Sequence, residues 1–340
     1  MNAEQLVIGL VGAGRIGRVH AMNLAHRIPT AHLAAIADVQ EAAAVDLARR
    51  VGTPVATSDY RRLLDDPKID AILICAATHT HAAIIMEAAA AGKHVFCEKP
   101  IDLSLAKIDA ALAAVATAGV KLQIGFNRRF DANFARVRRA VSEGEIGQPY
   151  LLHIISRDPA PPPLAYVKAS GGIFVDMTIH DFDMARFLIG SEVTEVYAAG
   201  GVMVDPAIGA AGDLDTVLVT LKFANGALGV IDNSRQAVYG YDQRVEVLGS
   251  AGSIATANNY PNSAVISTAD AVRRDLPLHF FMERYTESFV AEMTAFVDAV
   301  RNDRPVPVTG ADGRAPVVLG LAARRSVDEN RPVLVEEITA

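Results

Sequence analysis

Three polar residues that could transfer protons lie close together between Gly171 and Leu188. Plotted as a helix at about 100° per residue, Asp176, His180 and Asp183 fall along one margin of an apolar stripe. Because positions i and i+4 of a helix lie one above the other, the spacing predicts that the Asp176 carboxylate contacts the His180 ring, fixes its tautomer and raises its basicity. Such a pair can act as a general base. From this stretch alone, a core histidine satisfied by a nearby acid is an equally good interpretation.

A glycine-rich motif near the N-terminus predicts a cofactor site. It comprises Gly12, Gly14, Arg15, Ile16 and Gly17, directly after an apolar run and at the start of a predicted helix. Gly12 permits a tight turn, Gly14 lets the backbone approach a pyrophosphate, and Gly17 lets the helix pack closely on the sheet. The helix N-terminus then faces the anion. The motif therefore predicts a dinucleotide site, and a purely structural glycine turn is the alternative.

Asp38 bears on which dinucleotide is bound. It ends the second predicted strand, where a carboxylate accepts hydrogen bonds from ribose hydroxyls and repels a 2′-phosphate. Val39 and Gln40 follow it, so no Arg or Ser stands there to hold such a phosphate. The pattern favours NAD over NADP, with Val39 beside the nucleotide, although Arg15 could still lie near a phosphate.

Glu98, Lys99 and Pro100 follow the predicted strand His94–Cys97. Open α/β sheets place their ligands at the carboxyl ends of the strands. A lysine ammonium there can bind a substrate hydroxyl and favour its developing alkoxide, whereas the alternative is a solvated lysine beside its glutamate. With a nicotinamide that accepts hydride and a His-Asp base, these residues predict oxidation of a secondary alcohol without a metal.

Composition sets the class of protein. The 340 residues, 51% hydrophobic and 21% charged, indicate a globular protein of two domains. The net charge of −7 argues against nucleic acid or an anionic membrane surface as the partner. No apolar run approaches the roughly 20 residues that cross a bilayer, and we expect a cytoplasmic protein.

Neither the cysteines nor the neighbouring histidines predict a special site. Cys75 and Cys97 each close a short apolar run, which favours buried, reduced thiols over a disulfide. His79 and His81 flank Thr80 in a predicted loop, and without a third ligand at zinc-like spacing they indicate no metal site.

The order of predicted elements divides the chain at residue 126. Residues 1–126 alternate short apolar strands with helical segments, which is typical of an α/β Rossmann domain with a doubly wound parallel sheet. Its predicted strands are Leu6–Val11, Leu33–Ala37, Ala71–Cys75, His94–Cys97 and Lys121–Gly125, and its helices span 15–27, 41–50, 80–91 and 104–118.

Residues 127–340 predict an α+β domain with a large, mostly antiparallel open sheet. Its predicted strands are Pro149–Ser156, Val193–Val202, Thr216–Phe223, Leu228–Ser234 and Gln243–Leu248, and its helices end near 141 or span 171–189, 286–301 and 312–328. One face of this sheet has no predicted cover, and a subunit interface would supply it.

The glycine motif, the segment 98–100 and the stretch from Asp176 to His180 together resemble the Gfo/Idh/MocA family, named for glucose-fructose oxidoreductase, inositol dehydrogenase and rhizopine catabolism. The resemblance covers essentially the whole chain. Within the family it is strongest to the inositol 2-dehydrogenases, through the segments 127–131, 156–159, 171–188 and 234–241.

The resemblance implies NAD-dependent oxidation of myo-inositol at its 2-hydroxyl to 2-keto-myo-inositol (scyllo-inosose), in inositol catabolism. It implies a catalytic trio of Lys99, Asp176 and His180, with His180 as proton acceptor. It also implies that Thr78, His79 and the segment containing Glu98 lie along the cofactor. Residues implied to line the polyol pocket are Asn127, Arg129, Asp158 and Tyr239. The implied assembly is a homotetramer formed through the open sheet faces.

Two alternatives stay open at this point. A dehydrogenase for scyllo-inositol, D-chiro-inositol or a pyranose such as glucose keeps the same trio and differs in pocket residues. A non-catalytic dinucleotide-sensing protein can share the fold, but it has no use for the lysine and the His-Asp pair. The enzyme hypothesis expects these three side chains to converge on the nicotinamide from both halves of the chain.

Overall fold

The computed structural model describes residues 5–339, which form two compact units. The first contains the chain up to Asn127 together with 287–315, and the second contains 128–286 and 316–339. The sequence predicts that 287–315 belongs to the second domain, and here the structure differs. The reason is packing, because Met293, Phe296 and Val297 are buried in the same core as the first strands of the chain.

The first unit is built on a six-stranded parallel sheet in the order β3-β2-β1-β4-β5-β6. Its N-terminal elements are β1 (Leu6–Val11), α1 (Arg15–His26), β2 (Ala31–Ala37), α2 (Glu41–Val51), β3 (Val55–Thr57), α3 (Arg61–Leu64), β4 (Ala71–Ile74), α4 (Thr78–Ala90), β5 (His94–Glu98), α5 (Leu105–Ala118) and β6 (Leu122–Gly125). The predicted doubly wound sheet is confirmed. Elements β3 and α3 are absent from the sequence-based prediction because they are too short to show a period.

The strand order of this sheet reverses between β1 and β4, which are neighbours and parallel. In doubly wound folds the ligand crevice lies outside the carboxyl ends of the strands at such a reversal. The glycine motif follows β1 directly, so the fold places it at that edge of the sheet.

The remaining elements begin with a 3-10 turn over Asn127–Phe130. They continue as α6 (Ala132–Ser142), β7 (Pro149–Arg157), α7 (Leu164–Ala169), α8 (Ile173–Asp176), α9 (Ile179–Ile189), β8 (Val193–Gly201), α10 (Pro206–Ala210), β9 (Thr216–Phe223), β10 (Leu228–Ser234), β11 (Asp242–Gly249), β12 (Gly252–Ala255), β13 (Val265–Ser267), β14 (Val272–Arg274), α11 (Phe281–Arg284), α12 (Thr286–Arg301), α13 (Gly310–Glu329) and β15 (Val333–Leu334).

The second unit contains a seven-stranded sheet in the order β12-β11-β7-β10-β9-β8-β15. The pair β7 and β10 is parallel and the other neighbours are antiparallel, which confirms the mostly antiparallel sheet. In the parallel pair Arg157 lies opposite Ser234. The next residues of the two strands, Asp158 and Arg235, therefore leave the sheet at the same edge.

One face of this sheet is exposed. Along β9 buried and exposed residues alternate, and the exposed apolar side chains on neighbouring strands include Leu151, Leu218 and Leu228, which are 47%, 55% and 48% exposed. The uncovered face agrees with the open sheet that the sequence predicts.

Two further observations concern composition. Cys75 and Cys97 are free and buried, and burial raises the pKa of each thiol well above its usual value, as expected of unreactive thiols. Over residues 5–339, no helix combines the length and the apolar character that crossing a membrane requires.

Candidate active site

The loop between β1 and α1 has the shape of an anion cradle. Gly12 has a φ of +103°, and a Cβ at Gly17 would lie 1.9 Å from the Gly12 carbonyl oxygen. Beside Gly14, in contrast, no atom lies within 4 Å of where a Cβ would be. Helix α1 has no side-chain cap and no acid in its first turn, so its N–H groups remain available to a phosphate. These residues fit a dinucleotide pyrophosphate.

Asp38 is held at the end of β2 by two backbone N–H groups. Ala13 N–H donates to Oδ2 at 2.7 Å, and Gln40 N–H donates to Oδ1 at 2.8 Å. Each oxygen keeps a second lone pair for a ribose hydroxyl. The neighbouring Val39 is 90% exposed, and in the glycine motif Arg15 is exposed while Ile16 is half-buried.

The segment predicted as a loop around Thr80 is helical, since α4 begins at Thr78. Thr78 and His79 therefore lie in the first turn of a helix that follows β4. His81 points the other way: it is 2% exposed, and its Nδ1 and Nε2 lie 2.8 and 3.0 Å from the carbonyl oxygens of Pro100 and Ala76. The contact with the Pro100 carbonyl thus stabilises the backbone that follows Lys99.

Glu98 is the last residue of β5, and Lys99 follows it as a half-buried residue. The Glu98 carboxylate lies 2.8 Å from Nε2 of His20, a histidine of α1 whose side chain is fully buried. Glu98 therefore bonds to the interior of the unit, and the role of Lys99 stays a prediction.

The stretch that contains Asp176 and His180 is not one helix, as the sequence predicts, but two. Helix α8 ends at Asp176 and α9 begins at Ile179. At the junction the Thr178 N–H reaches back to Ile173 O, and the His180 N–H reaches only to Met177 O at 3.3 Å. The i,i+4 geometry of a continuous helix therefore does not apply to this pair. A contact between Asp176 and His180 stays a prediction.

Asp176 is held by residues distant in sequence. Its Oδ1 accepts a hydrogen bond of 2.8 Å from the Tyr166 hydroxyl, and its Oδ2 lies 3.2 Å from Nη1 of Arg235. Arg235, only 1% exposed, also reaches Asp213 Oδ2 at 3.3 Å. Asp213 in turn accepts the Ile173 N–H that begins α8. Tyr166, Arg235 and Asp213 are not among the residues predicted from the sequence, although Arg235 lies in a segment that carries the family resemblance.

Asp158 stands at the same sheet edge as Arg235. Burial and, to a lesser extent, the negative charge of Asp176 raise its pKa to about 6, against the opposing effect of Arg128 and Arg235. A carboxyl with such a pKa can donate or accept a hydrogen bond near neutral pH. The structure therefore brings together two of the predicted site residues, Asp158 and Asp176.

A buried network lies around Asp181, the residue after His180. Asp181 is fully buried, and its Oδ1 accepts a hydrogen bond of 2.6 Å from Nη1 of Arg128. Asn233 donates to the other oxygen at 3.0 Å. Burial raises the pKa of Asp181, and the Arg128 guanidinium opposes that shift. This network fixes the start of α9, from which His180 projects.

Two residues predicted to bind substrate have firm partners of their own. Arg129 donates to the buried carboxylate of Asp183, the third polar residue of the stretch, at 2.6 and 2.9 Å. Tyr239 donates to Asp242 at 2.6 Å and accepts from Arg157 at 3.1 Å. Asn127, the first residue of the 3-10 turn, is buried. Substrate contacts by these residues stay predictions.

Comparisons with known proteins agree with both units. A family model described as "Oxidoreductase family, NAD-binding Rossmann fold" matches residues 6–126. A second model, for the GFO/IDH/MocA C-terminal domain, matches residues 134–255. The chain is 50% identical to myo-inositol 2-dehydrogenase of Thermotoga maritima, covering 97% of this chain and 99% of that protein. It is 49% identical to inositol 2-dehydrogenase of Rhizobium meliloti, covering 96% and 98%.

Similarity over nearly the whole chain extends to a solved structure. The scyllo-inositol dehydrogenase of Lactobacillus casei, crystallised with NAD(H) and scyllo-inositol, superposes with a TM-score of 0.92 at 31% identity, covering 98% of this chain and 100% of that one. In this chain, the open space beside Gly14 and the carboxylate of Asp38 fit a dinucleotide cofactor of the kind bound in that structure. The chain belongs to the GFO/IDH/MocA family of oxidoreductases, with an NAD-binding Rossmann domain at its N-terminus.

Proposed function

We propose that this protein is an NAD-dependent inositol 2-dehydrogenase that oxidises myo-inositol at its 2-hydroxyl to 2-keto-myo-inositol. The observation that carries the proposal is the identity of about half of all residues, over nearly the full chain, with two proteins named for this activity. The polar residues that follow β7 and β10, Asp158 and Arg235, also support it. A cyclic polyol needs many hydrogen-bond donors and acceptors at once.

In this proposal the second unit recognises the hydroxyl groups. Asp158, with a pKa of about 6, can both donate to and accept from a hydroxyl near neutral pH. Asp176 is oriented by Tyr166 and Arg235, so its carboxylate keeps one position. We propose Asn127, Arg129 and Tyr239 as further substrate contacts.

The proposed reaction divides its work among three side chains. His180 accepts the proton of the 2-hydroxyl as general base, and Asp176 favours the resulting imidazolium by its negative charge. The Lys99 ammonium donates to the same hydroxyl oxygen and lowers the cost of its developing negative charge. NAD, when bound, accepts the hydride from the carbon that carries this hydroxyl. Residues proposed to hold it are Gly12, Gly14, Arg15, Ile16, Gly17, Asp38, Val39, Thr78, His79, Glu98 and Lys99.

The second candidate substrate is scyllo-inositol. The likeness to a scyllo-inositol dehydrogenase over nearly the whole chain favours this candidate. The two cyclitols differ in configuration at one carbon, and such a difference is worth only a few kcal/mol unless a buried polar group is left unpaired. Comparing kcat/KM for myo-inositol, scyllo-inositol, D-chiro-inositol and glucose, with NAD and with NADP, decides between them.

We also propose a homotetramer that covers the open face of the seven-stranded sheet, in a cytoplasmic enzyme of inositol catabolism. Exposed leucines on adjacent strands support the assembly, because exposed apolar patches of this kind mark interfaces. Light scattering should give a mass of four chains. Replacing Leu218 by Glu should lower that mass, and an unchanged tetramer would place the interface elsewhere.

The central test is the variant His180→Ala. Formation of NADH from NAD and myo-inositol should fall by at least about a hundredfold, the contribution typical of a general base, while NADH binding is retained. Replacing the exposed His279 by Ala serves as the matched control. Turnover retained in His180→Ala would refute His180 as the base. Absence of turnover in the unaltered protein with every polyol would favour a dinucleotide-sensing protein.

A further inference from the structure

A buried cluster of His20, Glu98 and Glu292 lies beneath the segment that carries Lys99. His20 comes from α1, Glu98 ends β5, and Glu292 lies on α12. The side chains of His20 and Glu292 are fully buried and that of Glu98 is 13% exposed. His20 Nε2 lies 2.8 Å from Glu98 Oε1 and 3.9 Å from Glu292 Oε1. The chemistry proposed above uses neither His20 nor Glu292.

The cluster must hold a proton on Glu292. Within residues 5–339, neither oxygen of the Glu292 carboxyl has a hydrogen-bond partner, and an ionised carboxylate in such a place is strongly disfavoured. Burial and the charge of Glu98 raise the pKa of Glu292 well above its usual value. The titratable groups that face Glu292 are His20 on α1, Glu98 on β5 and the Cys75 thiol after β4. Glu292 is therefore a neutral acid, and the carboxyl group that bonds to His20 is that of Glu98.

The position of the His20 ring is fixed by its neighbours. Phe96 and Phe289 contact it edge to face, with ring centroids 5.4 and 5.8 Å away. The Glu98 side chain is confined in turn, since a Cβ on Gly125 of the adjacent strand would come within 3.0 Å of its carboxyl group. The Glu98 carboxyl group is thus held between the His20 ring and the backbone of Gly125.

The chain on both sides of Lys99 is anchored to buried imidazoles. On the N-terminal side Glu98 bonds to His20, and on the C-terminal side the Pro100 carbonyl lies 2.8 Å from His81 Nδ1. We propose that His20, with the neutral Glu292 beside it, is a positioning residue for Lys99, because it holds Glu98 and so fixes the backbone from which the lysine projects. This inference rests on the proposed function, in which Lys99 binds the substrate hydroxyl.

A double-mutant cycle tests the coupling to Lys99. His20→Asn should lower kcat about 10- to 100-fold, because displacement of a catalytic group by about 1 Å costs up to about a hundredfold. The Kd for NADH should rise by a smaller factor, because Glu98 and Lys99 are only two of the residues proposed to hold the cofactor. In a Lys99→Ala background the same substitution should cause no further loss of kcat, since residues that act as a unit are not additive. Asn23→Ala, one turn along α1, is the matched control. Losses that multiply independently would overturn the proposal.

The variant Glu292→Gln tests whether the Glu292 carboxyl is protonated. Its main readout is thermal stability, which does not depend on enzyme activity. The neutral amide has the shape of the neutral acid, so the fold should be retained, and kcat should stay within twofold. Because the pKa of Glu292 is raised in the folded state, the unaltered protein loses stability as pH rises above the ordinary carboxyl pKa, whereas the Gln variant does not. The Tm difference in favour of Glu292→Gln should therefore grow from pH 5 to pH 8. A constant difference would overturn the assignment.

Two outcomes separate this inference from the proposed function. If the unaltered protein oxidises no polyol, or if Lys99→Ala keeps full turnover, the proposed role of Lys99 fails and the positioning of that lysine fails with it, whereas the proton on Glu292 is still decided by the Tm measurement. Retention of one equivalent of zinc by the purified protein after dialysis, together with its loss in Glu292→Gln, would show a metal centre in the cluster and overturn the proton assignment.

Discussion

The buried ion pair of Arg128 and Asp181 offers a sharp test of how the second unit is held together. Arg128→Met keeps an unbranched side chain of similar length but removes the guanidinium that donates to Asp181 at 2.6 Å. Asp181 is fully buried and would keep the Asn233 amide as a donor. The variant therefore leaves a carboxylate in the interior without its countercharge.

Breaking a buried pair by removing one partner typically costs about 3–5 kcal/mol. For a folding unit of 150–250 residues, about 1 kcal/mol lowers Tm by roughly 2–4 °C, so the expected loss is roughly 6–20 °C. The matched control is Arg136→Met, whose partner is Glu145 and whose side chain and partner are both 42% exposed. An exposed pair contributes about 0–1 kcal/mol, so the control should lose at most about 4 °C.

The pH dependence follows from the Asp181 pKa. Burial already raises it, with Arg128 in opposition, and removing Arg128 raises it further. A raised folded-state pKa stabilises the protein below the ordinary carboxyl pKa and this contribution is lost as pH rises. The deficit of Arg128→Met should therefore be larger at pH 8 than at pH 5, as measured by circular dichroism melts. Equal losses in the two variants, or a deficit that does not change with pH, would refute the reasoning.

Three further predictions concern the ligand sites. Asp38→Ser removes the carboxylate that repels a 2′-phosphate, so the ratio of kcat/KM for NAD to that for NADP should fall at least about tenfold, or roughly 1.4 kcal/mol; an unchanged ratio contradicts the role of Asp38. Gly14→Ala should keep Tm and weaken NADH binding measured by fluorescence, because its Cβ meets no atom within 4 Å, whereas Gly17→Ala should lower both, because its Cβ would lie 1.9 Å from Gly12 O; equal effects of the two variants contradict the cradle. Asp158→Asn should gain in Tm over the unaltered protein as pH rises from 5 to 8, because the folded-state pKa of Asp158 is raised to about 6 and the stability contributed by the protonated carboxyl is lost as pH rises through that value; a gain that falls with pH contradicts this sign.

Some predictions succeeded because they depend only on local pattern. Strand Leu6–Val11 and the glycine motif after it agree with the prediction, since short apolar runs and glycines act over a few residues. The predicted end of the helix before Gly119 agrees with α5, which stops at Ala118 with Gly119 at a φ of +67°. Local sequence thus determined the nucleotide-binding half and the family.

Other predictions failed because a neighbour distant in sequence decides the outcome. The helical plot of Asp176 and His180 predicts a continuous helix, but helix α8 ends at Asp176, and Tyr166 and Arg235 bind the carboxylate of that residue. Likewise α12 was assigned to the second domain, although its apolar residues pack in the core of the first unit.

The amino-acid sequence by itself determined which chemical groups are present and which elements carry them. The tertiary structure decided which groups meet: Asp158 and Arg235 leave the sheet together because β7 and β10 are paired in parallel, and Glu98 bonds to His20, 78 positions away in the chain. No local period encodes such contacts. They arise when burial of apolar surface brings distant segments together, and the polar groups trapped there must then find partners.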